Sequence, residues 1–297
     1  MRIESQNNYN LFNQLSYGNM NRIESVVDTQ KGVSDAVSLE ISAAGVQAVK
    51  TGTTSVEYQQ KLSGLGFFSG AFDGNLSSEP SKKAIRNFQR TYGIKQSGVL
   101  DVVTKNKLVN SYNLYNKIRT SSEMKSLCKD CNYAYDARQV EDFARTWAFL
   151  RVGMGVSSTV AAGVMGNIHA ESNVSHDDAE EKAGLYAGFH NSEYEYKTDD
   201  GVGYGLIQWT YSERKKGLLG MANQMGTKVS DINAQLAYFR KEMTELEWSA
   251  SWKSIASAQS VNEACDTFLE KVEQPDVLNY SQRRTYANKF YNCFKYF

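Results

Sequence analysis

The chain has 297 residues, with 33 Lys and Arg against 33 Asp and Glu, so it carries no net charge at neutral pH. Its 41% hydrophobic and 12% aromatic content is ordinary for a folded protein and too rich for a disordered one. The length is that of about two domains. The neutral balance gives no case for nucleic acid as a partner, and no run of about eighteen apolar residues is present to span a membrane.

Charge is unevenly spread. Residues 1–135 hold 16 Lys and Arg against 11 Asp and Glu, while residues 136–297 hold 17 against 22. Two readings of that offset stand: weak steering of the front half toward anionic polymers, and plain unevenness of surface charge. The first residues, Met1-Arg2-Ile3-Glu4, lack the apolar stretch of a secretory signal peptide. Residues 1–50 are polar, and alternating Val37, Leu39 and Ile41 predict one short strand at most. This segment reads as weakly ordered, or as an attachment arm that orders on a partner.

Residues 51–112 have a compact pattern. A helix is predicted from Ser55 through Tyr58 and Leu62 to Leu65, followed by a glycine-rich turn over 66–74. Pro80 suits the first turn of a second helix that carries Ala84, Ile85 and Phe88. Gly93 and Gly98 precede a third, with Thr104 and Leu108. Three short helices make a small bundle with a minimal core. The unit resembles the type 1 peptidoglycan-binding domain at Gln59, Leu62, Leu65-Gly66, Gly70, Asp73-Gly74, Ala84, Phe88-Gln89, Gly93, Gly98, Thr104 and Leu108. It departs at Leu76-Ser77, where that family has Phe-Gly. Most of the matched residues are turn glycines and core side chains, so the resemblance speaks more for fold than for ligand binding.

Residues 113–136 read as a linker. Cys128 and Cys131 lie in it, and Cys265 and Cys293 lie on later helices. One close pair is too few for a zinc site, so free thiols or local disulfides are expected. Residues 137–297 read as mostly helical, with apolar stripes such as Val140, Phe143, Trp147 and Leu150, then Ile232, Leu236, Phe239 and Met243. The expected fold class is mainly α.

A helix opening at Ser157 or Ser158 should end at Gly166-Asn167-Ile168-His169-Ala170-Glu171-Ser172. An acidic loop follows, then Asp199-Asp200-Gly201-Val202-Gly203-Tyr204-Gly205-Leu206-Ile207-Gln208-Trp209-Thr210. A glutamate at a helix C-terminus sits in partial negative charge, and an apolar wall of Ile168, Tyr204 or Trp209 would desolvate it. Both effects favour a carboxyl that keeps its proton, which an acid catalyst needs. Glycines let backbone approach a ligand closely, and aromatic faces and Gln208 suit sugar rings and acetamido groups.

This pairing resembles the phage tail lysozyme family of the lysozyme-like superfamily, over about residues 137–297. The resemblance rests on Gly166-Asn167, Glu171-Ser172, the run from Gly203 to Thr210, Arg214 before Leu218-Leu219, the stretch Phe268 to Pro275, and Arg283-Arg284 with Ala287. It implies a lysozyme-like domain that cuts the β-1,4 bond between N-acetylmuramic acid and N-acetylglucosamine, with Glu171 as general acid. Asp200 is the expected second carboxylate, with Asp199, Glu193 and Glu195 as competitors. Gln208, Tyr204, Trp209, Gly205 and Ser172 are the expected substrate-binding residues.

No cofactor is expected. His169, His176 and His190 fit no compact metal motif, so they read as polar surface or cleft-rim residues. The partners implied are bacterial peptidoglycan strands and, through the arm, a phage-tail, flagellar or secretion component. Action at the cell wall would follow release by a holin, a phage particle, specialised secretion or lysis. Two alternatives stay open: a lytic transglycosylase using the same Glu171, and a wall-binding structural protein without activity.

Overall fold

The computed structural model describes residues 53–180, 190–275 and 278–297. The arm at 1–50, with its expected strand, lies outside them. The described residues form eleven α-helices and two short π-helical turns, with no strand among them beyond an isolated bridge between Ala179 and Tyr204.

The first three helices are α1 (Ser55–Gly64), α2 (Glu79–Thr91) and α3 (Val102–Arg119). Each starts where a side chain satisfies free backbone N–H groups. Thr54 and Glu57 cap α1 reciprocally, Ser78 caps α2 with Pro80 in its first turn, and Asp101 caps α3. Leu62, Ile85, Phe88 and Leu108 are fully buried between them. Two buried glutamines hold the connecting turns. Gln59 donates to Asp73 Oδ1 (2.8 Å) and accepts from Gly74 N (2.8 Å). Gln89 accepts from Gly98 N (2.9 Å) and donates to the Val99 carbonyl (2.9 Å). Gly74 and Gly98 both have positive φ, which glycine adopts without steric cost.

The segment expected as a linker, 113–136, holds the end of α3 and all of α4 (Ser122–Leu127). Its polar composition masks one buried face, formed by Tyr115 and Ile118 of α3 and continued by Ser111 just before it. Through that face α3 packs on α5 (Ala137–Ala148), where the Tyr115 hydroxyl bonds Glu141. Further ties bind the three-helix unit to the rest. Asn233 donates to the Leu65 carbonyl (3.0 Å), Arg145 to the Gly64 carbonyl (3.2 Å) and Asn87 to the Met225 carbonyl (3.0 Å). Residues 54–297 make one compact unit.

The second half is built round α6 (Ser158–Ser172), which is buried on nearly every side. Around it lie α7 (Ser212–Met225), α8 (Ile232–Glu245), α9 (Ser249–Ala256), α10 (Val261–Phe268) and α11 (Tyr280–Phe294). Two glycines set how closely the last two approach α6. A Cβ on Gly163 would lie 2.6 Å from the Ala264 Cβ of α10, and one on Gly166 would lie 2.7 Å from the Ala287 Cβ and the Arg283 carbonyl of α11. Such distances are shorter than van der Waals contact allows, so both helices seat directly on α6 backbone. Phe143, Trp147, Phe290 and Phe294 fill the space beneath.

Candidate active site

Glu171 stands one residue before the end of α6, which closes on Asn173 with φ +51°. Its side chain is 18% exposed and meets Arg283 Nη2 at 2.5 Å. Arg283 comes from α11, brought there by the close seating at Gly166. Its Nη1 donates to Asn167 Oδ1 at 3.1 Å, and Asn167 is fixed in turn by donating to the Cys265 carbonyl at 3.0 Å. The Gly-Asn-x-x-x-Glu pattern thus has a physical content. Glycine admits α11, asparagine aims its arginine, and the arginine holds the glutamate.

The 199–210 segment folds against the end of α6. The Ser172 hydroxyl is buried and donates to the Leu206 carbonyl (2.9 Å). Gly205 has φ +77°, and a Cβ there would lie 2.6 Å from the Gln235 side chain, whose Oε1 accepts from Leu206 N (3.0 Å). Gln208, at φ +48°, is half-buried and donates to the Gly205 carbonyl (3.0 Å) and to Asp178 Oδ2 (3.2 Å).

Several expected site residues turn out to have structural work. Trp209 is fully buried and donates its Nε1 hydrogen to Glu242 Oε2 (2.9 Å), so its ring packs in the core instead of on a sugar. Tyr204 is buried against Tyr194 and Tyr196. Gly205 and Ser172 are sealed in as well. Of the expected catalytic and binding side chains, Glu171, Asp200 and Gln208 keep partial exposure. Aromatic residues between glycines look like a sugar platform in sequence, but here they join Leu206 and Ile207 in the core.

Asp200 is likewise committed. The fully buried Lys215 donates to its Oδ1 at 2.6 Å, and the Tyr194 hydroxyl donates to its Oδ2 at 2.7 Å. Burial pushes this carboxyl up, but the bonds from Lys215, Tyr194 and Val202 N outweigh that and hold it at about 2. Both of its oxygens are already bonded, so this carboxylate anchors the loop. The competing acids Asp199, Glu193 and Glu195 are exposed.

The histidines also differ from expectation. His169 is not a surface residue: it is buried, with Nδ1 2.8 Å from the Tyr135 hydroxyl, and burial pushes it down to about 4. His176 lies 2.5 Å from Asp142, and His190 bridges Asp177 (2.6 Å) and Asp136 (2.8 Å).

Sequence reading missed Asn167 and Arg283 as a frame for Glu171, the buried pair of Arg214 and Glu242, and the carboxyls of Asp178 and Glu273. Arg214 Nε reaches Glu242 Oε1 at 2.8 Å, and its guanidinium lies 4.6 Å from the Trp248 ring centre. Arg214, Glu273 and Arg283 all fall in stretches that carry the family resemblance, which was the available signal.

Burial, helped by Asp177, pushes the Asp178 carboxyl up to about 8. A carboxyl raised in the fold adds stability below its ordinary range and loses it as pH rises through the folded value. Asp178→Asn has no proton to lose and keeps an acceptor for Gln208. Its unfolding free energy is expected to fall less than the wild type's between pH 5 and 8.5, the gap widening by up to about 1 kcal/mol per pH unit, with the thermal midpoints diverging accordingly. Parallel melting curves across that range would refute this role for burial.

A family model described as phage tail lysozyme matches residues 142–294, and one described as a peptidoglycan binding domain matches residues 51–108. No curated protein and no solved structure matches the chain. Together the two matched regions support an enzyme that degrades peptidoglycan and acts at the cell wall. The first match covers more than half of the sequence, so the chain belongs to the phage tail lysozyme family.

Proposed function

We propose that the chain is a muramidase that cleaves the β-1,4 bond between N-acetylmuramic acid and N-acetylglucosamine, with Glu171 as general acid. The observation that carries this reading is Glu171 itself. It is a partly exposed carboxyl at the end of the most buried helix, held on a frame of Arg283 and Asn167. In this mechanism Glu171 gives its proton to the glycosidic oxygen as the bond to C1 breaks. Its carboxylate then takes a proton from the water that attacks C1. The half-exposed amide of Gln208 suits an acetamido group of the glycan. Residues 1–50 serve as an arm that docks the enzyme on a phage tail, flagellar or secretion component.

A second reading has one observation in its favour. Asp200 is held by Lys215 and Tyr194, which suits chemistry with one carboxyl. A lytic transglycosylase works that way, with the muramic acid's own hydroxyl as the attacking group. Mass spectrometry of purified peptidoglycan after digestion separates the two. New reducing ends are expected. New anhydro ends would replace the first reading with the second, and new peptide ends alone would overturn both.

A further inference from the structure

The buried charges beside Glu171 do not balance. Glu171 pairs with Arg283 at 2.5 Å, and Glu242 pairs with Arg214 at 2.8 Å. A third carboxyl, Glu273, sits at the last position of the π-helical turn Leu269–Glu273, where the next residue, Gln274, has φ +47° and turns the chain away. The Glu273 residue keeps partial exposure, yet its Oε1 is sealed from solvent and has no hydrogen-bond partner among the described residues; Arg283 Nε is orphaned in the same way. Three carboxylates against two guanidiniums leave one negative charge in excess. A buried cluster relieves such an excess by keeping a proton. Glu171 and Glu242 each hold a guanidinium, which leaves Glu273 as the natural place for it.

We propose that Glu273 is a positioning residue for Glu171, which it tunes through the shared charge of this cluster without touching the glycan. The proposal rests on the reading of Glu171 as the general acid. The charged groups facing Glu273 are Glu171 on α6, Arg214 on α7, Glu242 on α8 and Arg283 on α11. Asp266 of α10, the helix that leads into the turn, is occupied by Arg284. Burial, the largest influence, drives the Glu273 carboxyl well above its ordinary range; Glu171 and Glu242 reinforce that, and Arg214 and Arg283 oppose it. No direct hydrogen bond joins Glu171 to Glu273 among the described residues, so their coupling is electrostatic. A negative charge on Glu273 favours the protonated form of Glu171, and the excess charge of the cluster is met by one proton. With the glycan in place, that proton resides on Glu171 and passes to the glycosidic oxygen. The attacking water or hydroxyl returns one, and the pair is restored.

Glu273→Gln keeps the shape and removes the charge. Its thermal midpoint is expected to match or exceed that of the wild type. The alkaline limb of its pH–rate profile on purified peptidoglycan is expected to move about one unit toward acid, so that activity above that limb falls about tenfold. A profile superimposed on the wild type's would overturn the proposal. Should the variant not fold, carbon NMR of the wild type with labelled glutamate carboxyls gives the same test. One carboxyl should stay protonated above pH 6, and titration of all of them in the ordinary range would overturn the proposal. The titration also separates the two ideas. If Glu171→Gln cleaved at the wild-type rate, the general-acid reading would fall, while the NMR titration would still report on the cluster.

Discussion

Glu242→Ala is expected to destabilise the protein by about 3–5 kcal/mol, seen as an earlier midpoint in urea, because it strands a buried guanidinium. Glu242 is fully buried on α8 and takes two bonds from Arg214 and one from the Trp209 indole. Removing it leaves Arg214 charged in a site it cannot leave, and leaves an indole N–H without an acceptor. Glu242→Gln should cost less, since it keeps an acceptor for Trp209. The double replacement Arg214→Met with Glu242→Leu should recover much of the loss, because a buried ion pair adds little over well-packed apolar residues of similar volume. If Glu242→Ala melted within about 1 kcal/mol of the wild type, the pair would not be the buried brace described here.

The same brace explains why part of the site was legible in sequence and part was not. The helices were readable because apolar residues recur at helical spacing, as in α8, and because Ser157, Asp231 and Pro80 mark starts. Glu171 was readable from its place at the end of one such helix. What surrounds it was not. Arg283 lies more than a hundred residues away in sequence, and only the absent side chain at Gly166 brings its helix close enough. Asp200 was expected as a second carboxylate, since nothing in the sequence announces that Lys215 is buried beside it. Tyr204 and Trp209 were ambiguous for a related reason. An aromatic residue has the same signature whether it faces a sugar or the core, and burial decides between them only in three dimensions. The expected linker failed through composition: its polar residues cover the outer face of a helix whose inner face packs on α5.

The wall-binding resemblance fares differently. Gln59 and Gln89 were matched as family positions, and the structure gives them turn-holding roles. The three-helix unit is tied to the second half through Asn233, Arg145 and Asn87. A wall strand bound by the first part would therefore be presented to the second at a fixed distance, without a free linker between them.

Cleavage by this route depends most on the proton that Glu171 delivers. Glutamine at this position keeps the size and an acceptor for Arg283 but cannot protonate a leaving group. General acid catalysis is worth about 10²–10⁴-fold, so Glu171→Gln should release new glycan ends from purified peptidoglycan slower than the wild type by about that factor. Its circular dichroism spectrum should be unchanged and its thermal midpoint within a few degrees. Wild-type rates from a folded Glu171→Gln would contradict the account.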